Sequence, residues 1–154
     1  MIPDFTNPET CKTWFGKRQY LLDMGVDGFK TDGGEFVCTD EVSFYDGSTG
    51  KESRNCYPQQ YTKAYTKFLG DNHVLFSRAG YMGQHTTPCH WGGDQQSTND
   101  ELRHVLSAGL SAALSGILFW GFDLGRVCRA ASDVGSLSPC NDAGVFYANY
   151  AMAF

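Results

Sequence analysis

Val26-Asp27-Gly28-Phe29-Lys30-Thr31-Asp32-Gly33-Gly34 follows a glycine stop at Gly25, carries strand-compatible residues, and runs into two glycines where the chain turns easily. It reads as a short strand ending at Asp32. Upstream, Asn7-Pro8-Glu9 has the form of a helix start, with Asn at the cap and Pro at the first helical position. Trp14, Phe15, Leu21 and Leu22 then recur at roughly helical spacing, which predicts one helix over about residues 8–24. Downstream, residues 38–57 are polar and carry the turn signals Asp46-Gly47 and Thr49-Gly50, so they read as a long loop on the side where the strand ends.

The same alternation continues along the chain. Pro58, Tyr61, Ala64, Tyr65, Phe68 and Leu69 predict a second amphipathic helix, and His73-Val74-Leu75-Phe76-Ser77 a strand ending near Arg78. Cys89-His90-Trp91 is a shorter strand that stops at Gly92-Gly93. Leu102, Val105, Leu106, Leu110, Ala113 and Leu114 repeat at i+3 and i+4 behind a Thr98/Asn99 cap, the clearest helix pattern in the sequence. Gly116-Ile117-Leu118-Phe119-Trp120 is a continuous apolar run, as expected of a parallel strand buried on both faces, and it leads to Asp123. A Gly-, Ser- and Ala-rich stretch and a final apolar segment, Val145–Phe154, follow. This order, without hairpin signals, predicts an α/β fold with parallel strands. Asp32, Arg78, Asp94 and Asp123 each fall at or just beyond the C-terminal end of a predicted strand, the edge on which parallel sheets and barrels build their sites. Ordinary polar loop residues are the alternative for any one of them.

Composition narrows the function. The chain has 154 residues, 42% hydrophobic, enough for one domain with a sizeable core. A net charge of −5 with both signs interspersed lacks the clustered Lys and Arg of a nucleic-acid footprint. No stretch approaches the about 20 apolar residues of a membrane span, and no leader pattern follows Met1. Six cysteines lie far apart without a CxxC pair, which argues against a zinc ribbon or a disulfide miniprotein and leaves the redox compartment open. Aromatic residues make up 14%; their flat faces suit a sugar, although most belong in the core.

Two carboxyl groups flanking a bond are what glycoside hydrolysis requires, and Asp32 and Asp94 are the natural pair. Strand alternation puts Lys30 and Asp32 on one face, where a cation would favour the ionised carboxylate; a plain Lys/Asp ion pair is the simpler reading. Asp94 follows two glycines three residues after Trp91, a setting in which burial and a neighbouring carboxylate would raise its pKa. A Gly-Gly-Asp turn entering a helix is its structural alternative. His85, Cys89 and His90 suggest a metal, but alternation sends Cys89 and His90 to opposite faces and no fourth ligand has a recognisable spacing. Ser77 or Ser97 with a histidine suggests a hydrolase triad, yet no GxSxG elbow is present. The glycine pairs lack a nucleotide-binding pattern.

Gly28-Phe29-Lys30-Thr31-Asp32-Gly33-Gly34-Glu35, Phe76-Ser77-Arg78-Ala79-Gly80, His90-Trp91-Gly92-Gly93-Asp94 and Ser115-Gly116-Ile117-Leu118-Phe119-Trp120-Gly121-Phe122-Asp123, in this order, resemble the sequence blocks of glycoside hydrolase family 31. The resemblance implies a catalytic (β/α)₈ barrel, a retaining α-glucosidase or α-xylosidase type of activity through a covalent glycosyl-enzyme intermediate, an oligosaccharide or small α-glycoside as substrate, and no metal or cofactor. Carried over by position, it makes Asp32 the nucleophile and Asp94 the acid/base. Lys30, Arg78 and Trp91 become substrate contacts, Asp123 an acid that orders the pocket, and Glu35 a support for neighbouring groups. A lysine two before the nucleophile is more similar to the α-xylosidase and bacterial α-glucosidase branches. The chain departs from the family at Gly125-Arg126-Val127-Cys128, where Gly-Gly-Phe is usual.

A (β/α)₈ barrel needs about 200–250 residues. By the resemblance, residues 1–154 are a fragment of a single catalytic barrel, running roughly from the end of its third strand to the helix after its seventh, with Val145–Phe154 as that helix. A lone fragment is expected to expose strand edges and half a core, and so to be poorly stable. A non-catalytic carbohydrate-binding relative, or an inactive fragment, is the alternative reading.

Overall fold

The computed structural model describes residues 2–87, 89–96 and 98–122; Asp123, Ser97, the Gly125–Cys128 departure and the Val145–Phe154 segment lie outside them. The chain divides into two compact units, Met1–Thr87 and Pro88–Phe154.

In the first unit, helices α1 (Pro8–Gly16) and α2 (Gln19–Asp23) precede strand β1 (Gly28–Thr31). Helices α3 (Gly50–Ser53) and α4 (Tyr57–Leu69), strand β2 (Val74–Ser77) and a 3₁₀ turn (Gln84–Thr86) follow. The single helix expected over 8–24 is therefore two. Its start is as read: the Asn7 side chain accepts from the Glu9 N–H and Pro8 opens the first turn. The break lies at Lys17–Arg18. There the Trp14 carbonyl, which a continuing helix would give to the Arg18 N–H, accepts from the Arg18 guanidinium at 2.7 Å, and the Arg18 N–H turns to Phe15 O. The guanidinium also lies 3.7 Å from the Trp14 ring centroid.

β1 and β2 pair in parallel with Phe29 against Leu75 and Thr31 against Ser77. Phe29 packs on Tyr65 and Phe68 of α4, so the Phe29/Thr31 face looks toward that helix and the Lys30 face away from it. Phe5 stacks on Tyr61, Phe15 on Phe68, and Trp14 Nε1 donates to the Tyr65 hydroxyl at 3.0 Å. Much of the aromatic content is thus core, bound by ring contacts of about 0.5–1.5 kcal/mol each. The stretch expected to be plain loop also contains structure. Thr49 and Glu52 form a capping box at the start of α3, a spacing the sequence displays as Thr-x-x-Glu.

In the second unit β3 (Cys89–Trp91) and β4 (Phe119–Gly121) pair in parallel around α5 (Asn99–Leu114). Thr98 caps α5 by accepting from the Glu101 N–H. The predicted strand at Gly116 begins three residues later, because Gly116 and Ile117 end the helix. Gly116, at φ +88°, and Ile117 donate to the carbonyls of Ala113 and Ala112, the two bonds of a Schellman motif. Trp120 lies on Gly109, where a Cβ would stand 2.5 Å from the indole. Trp120 and its ladder partner His90 therefore face α5, and Trp91 and Gly121 face the other way.

Candidate active site

The register of β1 and β2 builds the cluster around Asp32. Thr31 and Ser77 are directly paired, buried, and joined by a 2.6 Å hydroxyl hydrogen bond on the α4 side. The next residue of each strand, Asp32 and Arg78, therefore emerges on the opposite face beside its counterpart. Arg78 Nη1 lies 3.0 Å from Asp32 Oδ1, and its Nη2 donates to Glu35. One guanidinium thus spans two carboxylates, a geometry its planar fork allows and an ammonium does not. Asp32 Oδ1 also accepts from the Gly33 N–H at 2.8 Å. Arg78 is thus a cation in direct contact with Asp32, and the Lys30 ammonium lies 6.0 Å from the Phe76 ring centroid.

Gly34 makes the turn possible. Its φ is +98°, and a Cβ there would come within 2.9 Å of the Tyr61 ring. Tyr61 donates to the Asp32 carbonyl at 3.4 Å. Burial first, with the neighbouring Tyr65 and Asp32 adding to it, pushes the Tyr61 phenol up to about 12, so it stays a donor at neutral pH. A hollow of about 170 Å³ opens here, lined by Asp32, Gly33, Gly34, Phe36, Trp14 and Tyr61 among others. A larger hollow of about 690 Å³ lies between α1 and α4, lined by residues such as Cys11, Phe15 and Lys67 and by none of the candidate site residues. The smaller one is the relevant cavity, because it sits at the strand ends where the charges converge.

The second unit carries the other candidate residues. Trp91 is 1% exposed and pairs in the ladder with Gly121. The chain then turns through Gly92, whose N–H donates to Gly121 O at 3.1 Å, and Gly93, at φ +86°. Asp94 follows. It is exposed, so the burial expected for it from sequence is not found among the described residues. The local reason is that the turn carries it past the strand end, beyond the buried Trp91.

Ser77 is fully buried against Thr31 on the α4 side, which removes it as a candidate nucleophile. Among the described residues no three His, Cys, Asp or Glu side chains are placed to hold a metal ion. No described helix is long and apolar enough to cross a membrane. Asp123 lies outside the described residues. Sequence reasoning missed Tyr61 and Phe36 beside Asp32, and Thr31 as the buried residue that fixes the register: nothing in local spacing marks them, since each acts through a partner some distance along the chain or a glycine turn.

Comparison with known proteins identifies the family and the fold. Residues 1–128 match the model of the glycosyl hydrolases family 31 TIM-barrel domain. An isomaltosyltransferase of Sporosarcina globispora is 41% identical over 128 residues, covering 80% of this chain and 12% of its own length. A 1,3-α-isomaltosidase of Kribbella flavida is also 41% identical over 128 residues, with 80% and 18% covered. The cycloalternan-degrading enzyme of Trueperella pyogenes, solved in complex with a covalent intermediate, superimposes with a TM-score of 0.84 at 34% identity, over 92% of this chain and 20% of that one. The chain thus spans about an eighth to a fifth of these three proteins.

Proposed function

This chain belongs to glycosyl hydrolase family 31, and we propose that residues 1–154 are part of one catalytic (β/α)₈ barrel of a retaining α-glycosidase, with Asp32 as nucleophile and Asp94 as acid/base. The observation that carries the reading is the Asp32–Arg78–Glu35 cluster at the C-terminal ends of two parallel strands. A nucleophilic carboxylate must be ionised and aimed. The guanidinium aims it, and Glu35 on its second nitrogen keeps the guanidinium from rotating away. Asp32 attacks the anomeric carbon while Asp94 gives its proton to the departing oxygen. Asp94 then takes a proton from the water, or sugar hydroxyl, that releases the glycosyl group from Asp32. The covalent intermediate captured in the Trueperella pyogenes enzyme supports the double displacement. Lys30 and Arg78 contact sugar hydroxyls, Trp91 walls the pocket with its apolar face, and Asp123 orders it. The substrate class is an α-linked oligosaccharide, in keeping with the names of the relatives.

The test is an α-configured cyclophellitol-type reagent, which esterifies retaining nucleophiles, followed by peptide mass spectrometry of the polypeptide that carries the whole barrel. A single adduct on Asp32, lost in Asp32→Ala, is expected. Labelling of a different carboxylate, or full turnover by Asp32→Ala, would sink the assignment. Saturable sugar binding without labelling or product would favour the binding-only alternative.

A further inference from the structure

In the second unit, His90 Nδ1 and Nε2, Gln95 Nε2 and Oε1, and Trp120 Nε1 are buried polar atoms with no hydrogen-bond partner among the described residues. Native interiors satisfy such groups, with protein or with ordered water, so a concentration of them at one place calls for an occupant. These three lie together. His90 and Trp120 are ladder partners whose side chains leave the sheet on the α5 face. A Cβ on Gly92 would meet Gln95 Nε2 at 2.5 Å and the Trp120 ring at 3.4 Å, so carboxamide and indole flank the same glycine. Their chemistry is complementary: an indole N–H donor, an amide with both donor and acceptor, and an imidazole that offers one of each when neutral. His90 is 2% exposed, and burial lowers its pKa, which keeps the ring in that neutral form.

We propose that His90, Gln95 and Trp120 form a buried polar socket that takes one or two bridging waters and positions the acid/base Asp94. The proposal rests on the reading of Asp94 as the general acid. His90 and Gln95 bracket Trp91-Gly92-Gly93-Asp94, a segment whose two glycines give it little stiffness of its own. Tying both ends into one network over Gly92 fixes the backbone that presents the Asp94 carboxyl. His90 touches no substrate in this scheme; it is a positioning residue. A water in the socket meets the two to four polar partners that buried waters require.

Because kcat/KM reports the first displacement and not the base-assisted release that all substrates share, misplacing the acid/base lowers kcat/KM only for substrates whose leaving group needs a proton. The experiment therefore compares an α-linked disaccharide with the α-glycosyl fluoride of the same sugar, glucose or xylose, in the polypeptide carrying the whole barrel. His90→Leu is expected to lose about tenfold or more in kcat/KM on the disaccharide, part of the about 10²–10⁴-fold that general acid catalysis supplies, and to stay within about twofold on the fluoride. His90→Gln, which keeps a donor and an acceptor, should recover most of the loss. Gln95→Leu should show the same split, and it decides the matter if His90→Leu does not fold. Equal losses on both substrates, or no loss on either, would overturn the socket while leaving Asp32 labelling and wild-type turnover intact. A wild type that cleaves neither substrate would instead remove the α-glycosidase reading on which Asp94 and the socket both rest.

Discussion

Arg78 carries two carboxylates on one planar group, and its side chain is only 19% exposed, so the pairing is shielded from solvent more than its partners' exposure suggests. A lysine at this position has one point of charge and cannot reach both Asp32 and Glu35 with the same geometry. Arg78→Lys is therefore expected to lower kcat/KM by about 10²-fold, the scale of losing one preorganised electrostatic contact, and to slow labelling of Asp32 by the cyclophellitol reagent. Steady-state kinetics and labelling rates on the two proteins check this; unchanged labelling would mean that Arg78 binds substrate without organising the nucleophile. The sequence placed Asp32 and Arg78 at strand ends. It could not show that they touch, because their separation along the chain carries no spatial information until the register of β1 and β2 is known.

That register is the property of the elements. Thr31 and Ser77 seal it with a buried hydroxyl pair, and the ladder partners on either side of them carry the core and the site to opposite faces. Thr31→Val leaves the Ser77 hydroxyl buried without its partner, a cost of about 1–3 kcal/mol. Thr31→Val with Ser77→Ala removes both groups and should cost less than the single change. Urea unfolding of the two variants tests the order; a double variant less stable than the single would show that packing, not polar pairing, sets the cost. Helix starts were largely legible, since Asn7 and Thr98 are local signals, whereas Gly116, which ends α5, reads in sequence as the start of the next strand. The break at Arg18 was not. It depends on a side chain capturing a backbone carbonyl, which the apolar spacing of the surrounding residues does not record.

Across the protein, acid sensitivity should trace to His90. Its pKa is lowered below the ordinary 6.5 by burial, so on acidification the unfolded chain takes up the proton while the folded protein does not. The associated stability is complete above about pH 6.5 and is lost as pH falls from there toward the folded-state value, by about 1.4 kcal/mol per unit within that window. Denaturant unfolding at pH 7.5 and 5.5 should show this loss, and His90→Gln should flatten it; equal slopes would place the acid sensitivity elsewhere. Leu110, Leu114 and Leu118 are 64%, 93% and 64% exposed. Large apolar side chains so exposed are unusual on a finished surface, and the chain spans 12–23% of the curated relatives it matches.

Reading along the chain was enough to assign the class of fold and the identity of the chemical groups: apolar runs alternating with amphipathic periods, glycine pairs after two strands, and acids and an arginine at the strand ends. These are local patterns, fixed by backbone preference and side-chain period. Folding in three dimensions was needed to establish which charge meets which, that Asp32 is held by Arg78, that Asp94 stands exposed, and that His90 and Trp120 pair on the α5 face. Such pairings depend on register and on the face each residue takes, and a shift of one residue in a strand would reverse them all.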